Sequence, residues 1–178
     1  MMIKYILPLL VTGFASAQVA IGKTEVSGSN SILEFAGNVT NTTNSRGIIL
    51  PAVNSSPVFP VVSPSTNNPQ NGTFIFDRQS RKVRMFENGS WVDLSDEGNS
   101  GSIIPVAGSE VGSGVIIGAQ NTTAQGVLVL ESADKALILP HISNPHLTVK
   151  SPYPGMMCYD TASNSLAVYD GANWNFWK

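Results

Sequence analysis

The feature that most constrains this chain is an internal duplication. "VAIG" at Val19 to Gly22 returns as "VIIG" at Val115 to Gly118, and "GIILPAV" at Gly47 to Val53 returns as "ALILPHI" at Ala136 to Ile142. The longest block, "NGTFIFDRQSRKVRMFENGSWVDL" from Asn71 to Leu94, aligns without a gap on "PGMMCYDTASNSLAVYDGANWNFW" from Pro154 to Trp177. This superposes Gly72 on Gly155, Asp77 on Asp160, Ser80 on Ser163 and Trp91 on Trp174. One structural unit is therefore made twice, from pieces short enough to fit in each half. Between the blocks the copies diverge: "NSSPVFPVVSPSTNNPQ" in the first is longer than "SNPHLTVKSPY" in the second, and both carry the Pro and Ser of loops. The boundaries that follow are residues 18–95 for the first module and 115–178 for the second. Residues 96–114 form a Gly- and Ser-rich connector, expected to be flexible, in which Ile103-Ile104-Pro105-Val106 is a candidate short edge strand.

The apolar segments in each module are short, β-branched and bounded by turn residues, and no stretch has the 3.6-residue period of an amphipathic helix. The expected fold is mainly β, with each module ending in a three-stranded meander. In the first meander the strand-sized runs are Thr73 to Asp77, Lys82 to Phe86 and Ser90 to Leu94. Asn88-Gly89 between the last two calls for a type I′ hairpin, whose two central residues both need positive φ. A two-residue loop sets Phe86 opposite Trp91, Met85 opposite Val92, Arg84 opposite Asp93 and Val83 opposite Leu94. Met85, Val92, Val83 and Leu94 then share one face, and Arg84, Phe86, Trp91 and Asp93 the other. A four-residue loop at Arg78 to Arg81 would add Phe74 and Phe76 to the aliphatic face.

The second meander keeps the aromatic corner and drops the charges. With Gly171-Ala172 as its turn, Tyr169 faces Trp174 and Ala167 faces Phe176. A face carrying Tyr169, Trp174 and Phe176 needs a cover, from the chain itself, from another subunit or from a ligand. Arg84, Phe86, Trp91, Asp93, Tyr169, Trp174 and Phe176 are accordingly the candidate ligand or subunit contacts. Flat rings beside polar groups suit a carbohydrate, and the same pairs serve equally as packing anchors of a hairpin.

Other function classes find little support. A net charge of -2 offers no basic excess for phosphates, which argues against nucleic acid as a partner. The only histidines, His141 and His146, and the only cysteine, Cys158, lie in the second module, with no nucleophile motif around the thiol. Two histidines separated by four residues lack the further ligands a metal site needs. The reading is a non-enzymatic protein without cofactor, in which Cys158 stands where the first copy has Ile75 and acts as a small buried hydrophobe. At the N-terminus, Lys4, an apolar run from Tyr5 to Phe14 and Ala15-Ser16-Ala17 have the layout of a secretory signal peptide, residues 1–17, with Gln18 as the new first residue. The run is shorter than the ~20 apolar residues of a membrane-spanning helix. The expected location is outside the cytoplasm, in the periplasm or at the cell surface.

The order of a short "AIG" block, "ILEF", "GIILP" and "NGTFIFD…VRMFENGSWVDL" resembles the repeats of exported surface proteins of Bacteroidota, which look like segments of phage tail fibres. Ala52 and His141 stand where those repeats usually carry a basic residue. The resemblance implies a structural or adhesive envelope protein of a Gram-negative bacterium, self-associating as a trimeric β-structure or binding an envelope protein or glycan. It also implies that Asp160-Thr161-Ala162 is similar to the O-glycan acceptor of that phylum, with Thr161 as the modified residue; the other reading is an ordinary Asx turn.

Overall fold

The computed structural model describes residues 18–37, 45–56, 69–105, 114–124 and 126–178. The expected signal peptide, the middle of the longer insert and residues 106–113 of the connector lie outside the described residues. The fold is mainly β, as expected, in several sheets. The first copy forms β1 (Val19–Ile21), β2 (Ser31–Phe35), β3 (Ile48–Ile49), β4 (Ala52–Val53), β5 (Phe74–Asp77), β6 (Lys82–Glu87) and β7 (Ser90–Asp93). The second forms β8 (Val115–Ile117), β9 (Leu128–Leu130), β10 (Ala136–Ile138), β11 (His141–Ile142), the one-turn helix α1 (Pro145–Thr148), β12 (Met156–Asp160), β13 (Ser165–Tyr169) and β14 (Trp174–Trp177). Strand for strand, β1 to β7 correspond to β8 to β14. The repeat extends to single bonds, since Pro51 O accepts from Phe76 N as Pro140 O accepts from Tyr159 N, both at 2.9 Å.

Both meanders have the expected register. Phe86 faces Trp91 and Arg84 faces Asp93 across β6 and β7, while Phe74 faces Met85 and Phe76 faces Val83 across β5 and β6. Asn88 and Gly89 have φ of 49° and 82°, the pair of positive values that a type I′ turn requires. The second hairpin keeps its pairing, Tyr169 with Trp174 and Ala167 with Phe176, and turns at Gly171-Ala172 as expected, with Asp170 N bonded to Asn173 O at 3.1 Å. The turn differs in type from that of Asn88-Gly89: Gly171 alone takes positive φ, and the buried Asp170 carboxylate accepts the N–H groups of Ala172 and Asn173, each at 2.7 Å. Ala172, with a Cβ, is a poor occupant of the second positive-φ position of a type I′ turn, and the aspartate supplies another way to reverse the chain.

The modules are interlocked. Strand β10 of the second copy lies parallel to β2 of the first, making a three-stranded sheet β1-β2-β10, and β3 of the first lies antiparallel to β12 of the second. The aliphatic faces of the two meanders meet in one core, where Leu50, Phe76, Val83 and Leu94 pack with Met157 and Val168. The connector closes this core. Ile103 to Pro105 are not a strand; Ile103 is buried among these residues from a turn, its N–H bonded to Ser100 O at 3.1 Å. Its neighbours are fastened to both meanders, Gly98 N to Arg81 O and Asn99 N to Asp170 O, at 2.9 Å each. These bonds hold the first half of the connector in place and account for its departure from the flexible segment that its composition suggests.

Candidate functional site

In the first meander the corner residues are engaged with one another. Phe86 is buried, and the Trp91 ring meets it edge to face with centroids 5.3 Å apart. Arg84 donates from Nε to Asp93 Oδ1 at 2.8 Å and from Nη1 to Ser56 Oγ at 2.9 Å, with Asp77 Oδ2 at 3.4 Å, while Lys82 Nζ lies 2.7 Å from Asp93 Oδ2. Burial pushes the Asp93 carboxyl up, but the hydrogen bond from Lys82 and the charges of Arg84 and Lys82 outweigh it and hold the group below its ordinary value. Asp77 is the anchor of this cluster. Burial raises its carboxyl too, yet the hydroxyl and N–H of Ser56 and the N–H groups of Ser80 and Gln79 bring it down to about 2. A cleft of about 340 Å³ lined by Ser55, Ser56, Asp77, Gln79, Ser80 and Arg84 thus has its charges already neutralised from within.

In the second meander the chain itself covers Tyr169 and Trp174, while Phe176 stays 43% exposed. Cys158 and Ala167 are wholly buried beneath Ile142, Val149 and Met156, and the rings of Tyr169 and Trp174 pack at the margin of this cluster. The segment that carries α1 lies over this face, placing His146 edge to face on Phe176 with centroids 6.2 Å apart. It is held by Asp160, whose Oδ1 accepts the N–H of Asn144 at 2.9 Å, in the role that Asp77 plays toward Ser56. Asp160 also caps its own turn through Ala162 and Ser163, an Asx arrangement that leaves Thr161 half-exposed at the turn. Burial pushes the Cys158 thiol up to about 12, which removes its nucleophilic form at neutral pH. The two histidines lie against different rings, His141 against Tyr159 and His146 against Phe176. Among the described residues, no group of three or more His, Cys, Asp or Glu side chains is placed to hold a metal ion.

A second cleft, of about 450 Å³, lies where β2 meets β10, lined in part by Lys23, Glu34, Ile138 and His141. Its carboxylate is likewise taken up. The Lys23 ammonium and then the Ser27 N–H and hydroxyl hold Glu34 down to about 2.

The surface that the sequence reading passed over is the parallel pair β8–β9. Parallel strands are ordinarily covered on both faces. Here Val115, Val127 and Leu128 are 56%, 60% and 46% exposed, whereas Ile32 and Leu33, the counterparts of Val127 and Leu128 in the first copy, are 2% and 1%. The signal was the run "GVLVLE", apolar on consecutive residues where a half-buried strand would alternate.

Residues 116–178, nearly all of the second module, match a family model described as a phage tail like trimerisation region. No curated protein and no solved structure matches the chain. The second module is therefore similar to a phage tail-like region, in line with the tail-fibre resemblance of its motifs. Among the described residues no helix is long and apolar enough to cross a membrane.

Proposed function

We propose that this chain is an exported, non-enzymatic β-repeat protein that self-associates as a trimer and serves as a structural or adhesive part of the cell envelope. The observation that carries the reading is the match of residues 116–178 to a trimerisation region, over the copy whose Val115, Val127 and Leu128 are open to solvent. An apolar parallel pair of this kind is stabilised when a further strand or subunit covers it. Arg84, Phe86, Trp91, Asp93, Tyr169 and Trp174 fit a structural role, because their rings and charges engage one another within each module. Export rests on the signal-like segment at residues 1–17.

The test is expression of the whole gene product in a Gram-negative host, N-terminal sequencing of the protein recovered from the periplasm or envelope, and light scattering on it. The expected result is a chain beginning at Gln18 with three times the mass of one chain. A chain retained in the cytoplasm with Met1 or Met2 intact would overturn export, and a clean monomer would overturn the trimer.

A further inference from the structure

The repeat tells what should lie on the open edge of β9. In β8–β9, Val115 N bonds to Val127 O and Glu131 N to Ile117 O, so Val127, Val129 and Glu131 turn their backbone groups toward β8. Leu128 and Leu130 turn theirs to the other edge, which has no strand beside it among the described residues. The corresponding residues of the first copy, Leu33 and Phe35, belong to β2, and there the same edge is occupied by β10, with Leu137 opposite Leu33 and Ile138 opposite Glu34. The counterpart of β10 in the first copy is β3.

Strand β3 already pairs with β12, but through its other edge. Leu50 N bonds to Gly155 O, so Ile48 and Leu50 face β12 and Gly47 and Ile49 face away. Strand β10 does the reverse: Ala136 N bonds to Asn30 O, so Ala136 and Ile138 face β2, while Leu137 and Leu139 face away. Each of these two equivalent strands therefore uses the edge that the other leaves free. Two acceptor edges are also unfilled among the described residues: that of β9, and that of β5 near Phe74, which corresponds to the part of β12 that β3 covers.

These donors and acceptors match as one contact. We infer that two copies of this chain join head to tail by strand exchange, β3 of one chain lying parallel to β9 of the next. Gly47 then faces Gly126, Ile48 faces Leu128 and Ile49 faces Val129. In the same contact, β10 of the second chain lies antiparallel to the start of β5 of the first, setting Leu137 opposite Phe74. Within one chain this relation is already made once, between its two modules; across chains it is made again. Burial agrees with it. Ile49 and Leu137, on the donors, are 51% and 38% exposed, and Leu128, on an acceptor, is 46% exposed where its covered counterpart Leu33 is 1%. Gly118 lies close against Ile32, so Gly22 of the incoming chain is placed to cover Val127 in the same way.

The inference rests on self-association as proposed above and names its contact. A heterologous contact of this kind closes into a ring or runs on as a filament according to the rotation it imposes, and three chains are the closed form expected here. Neighbouring strands lie ~4.8 Å apart, within reach of a disulfide between facing residues. Ile48→Cys and Leu128→Cys are made in separate full-length chains, co-expressed with distinguishable tags and oxidised, with each variant alone as control. The expected result is a covalent dimer carrying both tags, formed only in the mixture, and a ladder ending at three when one chain carries both changes. A trimer by light scattering without the mixed cross-link overturns strand exchange and leaves the trimer standing; a monomer overturns both. A cross-linked filament upholds the exchange and overturns the trimer. Should the cysteine variants not fold, Leu128→Lys is the second measurement: loss of the oligomer with the circular dichroism spectrum retained supports the contact, and an intact oligomer overturns it.

Discussion

Replacing Asp77 by Asn tests whether the buried carboxylate, rather than the aromatic corner beside it, holds the first meander to its loop. Asp77 is 3% exposed and accepts hydrogen bonds from Ser56 N and Gln79 N, both at 2.9 Å, from Ser80 N at 3.2 Å, and from the Ser56 hydroxyl. Asparagine keeps one acceptor and turns an NH₂ toward either the Ser56 donors or those of the following turn, so one set of donors loses its acceptor. The carboxyl falls from its ordinary 3.8 to about 2, which at about 1.36 kcal/mol per pH unit corresponds to roughly 2 kcal/mol of native-state stabilisation. The folded value is depressed below that of the unfolded chain. The stabilisation is therefore complete above the unfolded value of 3.8 and is lost as pH falls through about 2. Urea unfolding followed by tryptophan fluorescence, at equal protein concentration, should show Asp77→Asn less stable by about 2 kcal/mol at pH 7 with an unchanged slope. The gap should shrink toward zero near pH 2. Glu34 and Asp160, also held low and outside the Arg84 cluster, weaken both proteins alike in acid and cancel in the difference. A variant as stable as the parent at pH 7, or a gap of the same size at both pH values, would refute the reasoning.

Three further outcomes are expected. Cys158, with its thiol pushed up to about 12, should be inert to a thiol-specific disulfide reagent at pH 8 in the native protein and react fully once unfolded; rapid native-state reaction would contradict its burial. Trp91→Ala removes an edge-to-face contact and should cost at least ~1 kcal/mol in urea unfolding, whereas unchanged stability would mark the ring as an exposed ligand platform. Gly72 and Gly155 both have positive φ, 86° and 84°, but a Cβ at Gly72 meets open space and one at Gly155 comes within 3.1 Å of Phe76 Cβ. Alanine should therefore cost about 1–2 kcal/mol at Gly72 and more at Gly155, read from thermal midpoints, and equal losses would argue against the close approach.

The meanders were legible because their information is local. Asn88-Gly89 fixes a turn, the turn fixes a register, and the register sorts Arg84, Phe86, Trp91 and Asp93 onto one face without knowledge of anything distant. The interlock of the modules was not legible, because β3 and β10 are too short to show a period and their partners lie far along the chain. The cover over Tyr169 and Trp174 was left open among chain, subunit and ligand, and the choice of the chain itself depends on the segment around α1, which a loop-like composition does not place. Ile103 misled for a related reason. An Ile-Ile-Pro-Val run reads as a strand, yet what decides its conformation is a gap between two meanders that one side chain fills.

The divergence of the copies follows from what each packs against. Faces that the two modules present to each other, Phe76 and Val83 in one and Met157 and Val168 in the other, are apolar in both. The outward faces differ in step with their covers. In the second copy the segment around α1 lies directly on Cys158 and Ala167, so the position of Arg84 has become alanine; an arginine there would be buried, with Phe176 in place of the aspartate that neutralises it. In the first copy Arg84 reaches Ser56 and Asp77, and the loop is bound by polar contacts. Both solutions keep the one acidic residue that fastens the loop, Asp77 or Asp160. What duplication leaves unmatched among the described residues is the edge pairing: each module uses one edge of its β3- or β10-type strand and leaves the other, so a donor and an acceptor are left over in each module. It is this pairing that the proposed strand exchange between copies would complete.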